Sequence, residues 1–170
     1  MLDTPQRRAF FHMSSPVIEA RYAVFSRQGD DFVYRGPDSL VGREVGVYGP
    51  SGSSASLEDL VFGLHVKTHL EPDNVTVLRK LGSGRYGDKG LAYVNESVAL
   101  HLLKEKRLPG LQMAGVAREF GYSFALVKSR VSQAEARQFE EALQLNCRSG
   151  RNADLVRPFA VPAAACQPPR

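Results

Sequence analysis

Polar and apolar positions alternate along residues 17–25, where Ala20, Tyr22 and Val24 interleave with Glu19, Arg21 and Ala23. This imperfect period of two predicts a strand that exits into the turn-rich residues 27–31. Beyond the turn marked by Pro37 and Asp38, the compact β-branched run Glu44-Val45-Gly46-Val47-Tyr48 ends at Gly49 and Pro50, the pattern of a buried strand. The period then changes. Leu57, Leu60, Val61 and Leu64 recur at helical spacing behind Ser53, Ser54 and Ser56, with Glu58 and Asp59 in the first turn. They predict an amphipathic helix capped by Ser53 or Ser54. Residues 75–78 and 91–94 read as further strands, with a glycine-rich stretch over residues 82–90 between them. Residues 96–106 carry Val98, Leu102 and Leu103 at helical spacing and stop at Pro109 and Gly110. Residues 123–127 predict a strand. Residues 132–145 predict a helix opened by Ser132 with Glu135 three positions on, and Phe139 and Leu143 at core spacing. A short helix over residues 152–159 and an Ala- and Pro-rich tail over residues 160–170 complete the chain. The alternation of strand and helix predicts an α/β fold with parallel strands.

At 170 residues the chain amounts to one domain. With 43% hydrophobic and 24% charged residues it can build a core, and it has none of the bias of disordered, collagenous or disulfide-scaffold chains. No apolar run approaches the roughly 18 residues that a membrane span needs. Lys and Arg exceed Asp and Glu by 22 to 18, but they are scattered from Arg7 to Arg170. That spread predicts a solvated surface and no nucleic-acid partner, which would need basic residues clustered with aromatics. Cys147 and Cys166 fit no metal-ligand spacing and no CxxC motif, which leaves a disulfide stapling the tail or two free thiols. Met1, Leu2 and Asp3 begin no basic-then-apolar stretch, so this chain carries no secretion signal; the expectation is a cytoplasmic protein or further sequence upstream.

Three near-motifs lose their chemistry on inspection. Residues 49–56 lie between a strand and a helix, where a phosphate-binding loop belongs, but Ser54 and Ala55 stand where the second glycine and the lysine are required. What survives is a glycine-bearing loop with hydroxyls at a helix start, able to hold an anion on backbone N–H groups or merely to cap the helix. Gly82, Gly84 and Gly87 spell G-x-G-x-x-G after a predicted strand but lead into another strand, so no helix end faces a pyrophosphate and a surface loop is expected. His65 and His69 lie four apart on the predicted helix, but Val66 replaces the glutamate of a zinc motif and no cysteine is near. No metal and no cofactor is expected. Ser51 and Ser53 are not in a G-x-S-x-G setting, so no serine nucleophile is assigned.

Thr4-Pro5-Gln6-Arg7 and Met13-Ser14-Ser15-Pro16, alone a capped helical turn and a polar bend, are similar in spacing to the "T-P-E-R … F-S-x-P-Y" passage of the family 3 (polar amino-acid type) periplasmic solute-binding proteins of ABC transporters. Asp38-Ser39-Leu40-Val41-Gly42-Arg43-Glu44-Val45-Gly46-Val47 resembles that family's "D-L-x-G-K-x-V-G-V" entry into the second lobe. Val94-Asn95-Glu96-Ser97-Val98-Ala99 resembles its "V-D-E-P-V-A", and Gly121-Tyr122-Ser123-Phe124-Ala125-Leu126-Val127-Lys128 its return strand. The resemblance runs from Thr4 to Phe159 and rests on the order and spacing of the segments together.

The resemblance implies a type II periplasmic-binding-protein-like fold of which this chain supplies the second lobe and hinge strands, with most of the first lobe absent. Residues 1–25 would be the end of the first lobe and the first crossing strand, 26–122 the second lobe, 123–159 the return strand and C-terminal helices, and 160–170 the tail. It implies a non-enzymatic protein that binds a small polar carboxylate-bearing ligand such as an amino acid. Arg7 would grip the carboxylate with its fork and Thr4 would add a hydroxyl. Gly52, Ser53 and Ser54 would hold the same carboxylate from a helix start. Asn95 falls where the family places the acid that receives the ligand's ammonium, so α-amino acids would bind about tenfold more weakly. Val17 replaces the family's tyrosine after the proline, removing a stacking wall. The implied location is the periplasm and the implied partner an ABC permease or a sensor kinase. A sensory input domain or a non-binding remnant of the same fold is one alternative, and a periplasmic dehydratase-like enzyme another. Apolar residues left without a lobe to pack on, Phe139, Leu143 and Leu155, would drive two copies together.

Overall fold

The computed structural model describes residues 1, 3–106, 108–159 and 161–166. Helix α1 (Pro5–Phe10) is followed by β1 (Phe11–Arg27), β2 (Glu44–Tyr48), α2 (Gly52–Leu60), β3 (Lys67–Glu71), α3 (Asn74–Gly82), β4 (Leu91–Asn95), α4 (Glu96–Glu105), β5 (Leu111–Val127), α5 (Gln133–Arg148) and α6 (Arg151–Val156). The strands are ordered β3-β2-β4-β1-β5. The chain divides into a first unit, Met1–Ala20 with Phe120–Arg170, and a second unit, Arg21–Glu119; β1 and β5 run through both. Among the described residues no helix is long and apolar enough to cross a membrane.

The second unit holds the core. The EVGVY run is a strand, as its composition predicts, because β2 is flanked on both sides: it pairs in parallel with β3 (Val45 opposite Thr68) and with β4 (Val47 opposite Tyr93). The part of β1 in this unit runs antiparallel to β4, with Tyr22 opposite Asn95 and Phe25 opposite Ala92. Phe25, Val77, Leu78, Leu81, Tyr86 and Val94 pack into one buried cluster. Tyr22 stacks on Tyr93 with ring centroids 5.3 Å apart, and the Tyr93 hydroxyl meets Ser56 Oγ at 2.9 Å.

Two elements here differ from the pattern reading. Residues 75–78, expected as a strand, belong to helix α3: the Asp73 carboxylate accepts the Thr76 N–H at 2.7 Å, and Val77, Leu78 and Leu81 turn one face to the core. A good cap and one buried stripe outweigh the strand preference of two valines. The strand is instead β3, an edge strand whose sequence KTHLE is too polar and exposed to announce itself. Consequently α2 stops at Leu60, Leu64 and His65 lie in the connection, and His69 sits on β3 rather than on a helix. Its Nε2 lies 2.7 Å from Glu44 Oε2, so it is a hydrogen-bond partner of that carboxylate and shares no helix face with His65. The glycine-rich stretch therefore follows a helix, and Gly84 and Gly87 take left-handed turns at φ 73° and 75° before β4.

In the first unit, β1 begins at Phe11, so Met13, Ser14, Ser15 and Pro16 are strand and not the bend expected from their polarity. Ser14 Oγ accepts the Phe124 N–H at 2.9 Å, and Pro16 lies so close to Gly121 that a Cβ there would fall 2.7 Å from the proline ring. Ser132 and Glu135 make the expected reciprocal capping box at the start of α5. The expected tail is also structured. Glu19 N–H donates to Pro162 O at 2.9 Å, Ala164 N–H to Val17 O at 3.1 Å, and Cys147 is disulfide-bonded to Cys166. Residues 161–166 thus lie along β1, while Ala160 and residues 167–170 of that tail are outside the described residues. Among the described residues of this unit, Ser14, Ala20, Ser123 and Ala164 are the buried ones, and no large apolar side chain joins them.

Candidate ligand-binding site

Strand β2 is the point where the parallel sheet of the second unit reverses direction. The chain leaves it through α2 to β3 on one side, then returns through α3 to β4 on the other. In open α/β sheets the crevice outside the carboxyl ends of the strands at such a point is where ligands bind. Here the carboxyl ends of β2 and β4 are neighbours in register, and a helix starts after each: α2 after the three-residue turn 49–51, α4 directly after Asn95.

The first-turn donors of α2 can be accounted for one by one. Ser51, not Ser53 or Ser54, is the cap: its Oγ accepts from Ser53 N–H at 3.1 Å and Ser54 N–H at 3.4 Å and donates to Tyr48 O at 2.6 Å. Ser54 Oγ completes the capping box by accepting the Ser51 N–H at 2.9 Å, and Ala55 N–H reaches Ser51 O at 3.1 Å. Among the described residues the donor left over is the Gly52 N–H, on a residue where a Cβ would meet nothing within 4 Å. The Ser53 hydroxyl makes no hydrogen bond among the described residues. Gly52 is therefore the approachable residue, Ser53 is buried with its hydroxyl uncommitted, and Ser54 is committed to holding the turn. The sequence does carry a signal for Ser51, as a hydroxyl residue three positions before another, directly after Pro50.

At α4 the Asn95 side chain is the cap, its Oδ1 accepting the Val98 N–H at 3.1 Å. Residue spacing does not single out Glu96, which is buried in the first turn of α4 beside Arg21 of β1. Arg21 Nη2 donates to its Oε1 at 2.8 Å, and Arg21 Nε lies 2.6 Å from its Oε2. An acid one residue past a cap is a common helix-start pattern, so its sequence signal points to α4 and not to a site. Thr4 and Arg7 lie in the first unit. Thr4 Oγ1 caps α1 by accepting the Arg7 N–H at 3.3 Å, which leaves its own O–H as a donor, and Arg7 is half-buried.

Among the shifted groups, burial and then the charge of Arg7 lower the Met1 ammonium. Burial pushes Tyr93 up to about 12, and burial, with Glu71 beside it, pushes Tyr86 up as well. Hydrogen bonds from His69 and then Lys67 hold Glu44 below the usual carboxylate range. Among the described residues no three His, Cys, Asp or Glu side chains gather as a metal site would require.

No family model and no curated protein matches the chain. Solved structures do. A histidine kinase sensor domain with similarity to periplasmic binding proteins matches with a TM-score of 0.76 at 20% identity, over 96% of this chain and 69% of its own. An amino acid ABC transporter substrate-binding protein from Streptococcus pneumoniae, bound to L-arginine, matches with a TM-score of 0.73 at 20% identity, over 94% of this chain and 65% of its own. The fold is that of the periplasmic binding proteins. An ancestral amino-acid-binding protein, a precursor of cyclohexadienyl dehydratase, shares it with a TM-score of 0.71 at 16% identity, over 94% of this chain and 66% of its own. The chain thus spans about two thirds of the length of these structures, and the likeness is one of fold.

Proposed function

We propose that this chain is a family 3 solute-binding protein that recognises a small polar ligand through its carboxylate, an amino acid or a close relative, without chemistry on the ligand. The observation that carries the reading is the pair of helix starts at the neighbouring carboxyl ends of β2 and β4, with the exposed Gly52 N–H at one of them and the uncommitted hydroxyl of the buried Ser53 beside it. Backbone donors at a helix N-terminus suit a carboxylate. In this reading Gly52 and Ser53 receive the anion and Ser54 keeps the turn in shape; in the first unit, Arg7 offers a carboxylate a forked charge-assisted contact and Thr4 a hydroxyl. Asn95 meets the rest of the ligand with a neutral side chain, which favours solutes without an ammonium group. Residues 26–122 then form the second lobe, and the protein acts in the periplasm with a permease.

Calorimetry across amino acids, keto acids and dicarboxylates tests it. Arg7→Ala is expected to weaken carboxylate binding by about 1.5–3 kcal/mol. Unchanged affinity for every carboxylate would remove Arg7 from the site. The match to a sensor domain favours a second reading, in which the same lobe reports ligand to a kinase. A dehydratase-like activity would need an acid where Asn95 stands, and the neighbouring Glu96 carboxylate is paired with Arg21. A bound solute recovered chemically unchanged after long incubation is the expected result.

A further inference from the structure

The first unit carries an open groove of about 1280 Å³ along α5, lined on its other side by Phe11, Met13 and Leu126. From α5 it is lined by Gln133, Arg137, Glu140, Glu141, Gln144 and Arg148. Those positions recur every three or four residues and so form one stripe along the roughly 24 Å of a 16-residue helix. No residue of α5 is buried, and Leu145 on the groove side is 64% exposed. A capped helix of this length gains most of its stability from covering such a face.

The charges on the stripe say what could cover it. Glu140 is satisfied within the unit by the Ser15 N–H at 2.9 Å, the Ser15 hydroxyl and Gln144 Nε2. Arg137 and Glu141 enter no ion pair among the described residues, and both are exposed. Their order, Arg before Glu at i and i+4, is the weaker orientation for a pair within one helix. With two basic and two acidic residues, Arg137, Arg148, Glu140 and Glu141, the stripe is neutral, so it does not repel a copy of itself.

We infer that a second copy of this chain covers the groove, with the two α5 helices antiparallel across a two-fold axis near Phe139. In that arrangement the positions two residues either side of Phe139 face each other, so Arg137 of each copy meets Glu141 of the other and the contact is made twice by symmetry. No residue of this surface belongs to the proposed ligand site, so the two readings stand or fall separately.

Sedimentation velocity on the whole chain from nanomolar to high micromolar concentration tests the inference. A dimer with a micromolar dissociation constant is expected. Glu141→Arg and Arg137→Glu, both at exposed positions, should each raise that constant at least tenfold while leaving the far-ultraviolet circular dichroism unchanged. An equimolar mixture of the two variants should recover a heterodimer at the original concentration, because both pairs across the axis then join opposite charges. A monomer at every concentration, a dimer indifferent to both substitutions, or a mixture that fails to associate would overturn it.

Discussion

Gly46 lies beneath the ring of Tyr86, close enough that a Cβ would fall inside contact distance of the ring carbons and hydroxyl. Tyr86 is fully buried, with its hydroxyl 3.2 Å from Glu71 Oε1, and has nowhere to move. Gly46→Ala is expected to cost about 1–3 kcal/mol by overpacking, seen as a lower midpoint in urea unfolding with an unchanged slope; a wild-type midpoint would show that the ring can yield. Asn95 tests whether one residue can be structural and selective together. Because Asn and Asp cap equally well, Asn95→Asp should keep the α4 cap and move ligand preference toward solutes carrying an ammonium group. Asn95→Ala should lose about 1 kcal/mol of stability with no such shift. If the aspartate variant ranks amino acids and keto acids as wild type does, position 95 lies outside the ligand's reach.

The start of α5 is the element whose pH response follows most directly from its contacts. The Ser132 N–H and hydroxyl both donate to Glu135 Oε2, at 2.8 and 2.7 Å, and hold its carboxyl below the usual glutamate range. A carboxyl depressed in the folded state contributes stability that is present above its unfolded value, about 4.3, and is lost as pH falls through the lower folded value. Helical circular dichroism should therefore decline from about pH 4 downward with a component that Glu135→Gln removes. Identical acid titrations for wild type and variant would contradict the capping assignment. Elements that carry their own signals, such as this capping box and the β-branched run of β2, are legible in the sequence alone. Helix α3 is not, because its two valines speak for strand while the informative pieces, Asp73 and the spacing of Val77, Leu78 and Leu81, make sense only once a sheet is there to receive them.

For the whole molecule, the disulfide fastens residues 161–166, which hydrogen-bond along β1, to helix α5. Cys147 and Cys166 are 19 residues apart, a loop whose closure limits the unfolded chain by about 3 kcal/mol on the chain-entropy model. Reduction should strip hydrogen-exchange protection from residues 17–19 and 161–166 while β2 and β4 keep theirs; equal loss in both units would mean that they unfold together. By itself the sequence determined the α/β class, the buried strand at β2, the starts of α4 and α5, and the presence of a polar turn where α2 begins. These rest on short-range physics: side-chain period, turn residues and caps within four positions of the groups they satisfy. The tertiary structure alone decided that KTHLE is a strand, since that depends on which edge of the sheet is free, and it chose Ser51 over Ser53 and Ser54 as the α2 cap by where β2 ends. It alone decided that Glu96 is held by Arg21, a partner 75 residues away. It alone bonded Cys147 to Cys166, a pairing that spacing leaves open because a thiol's partner is chosen by the approach of two backbones and not by their distance along the chain.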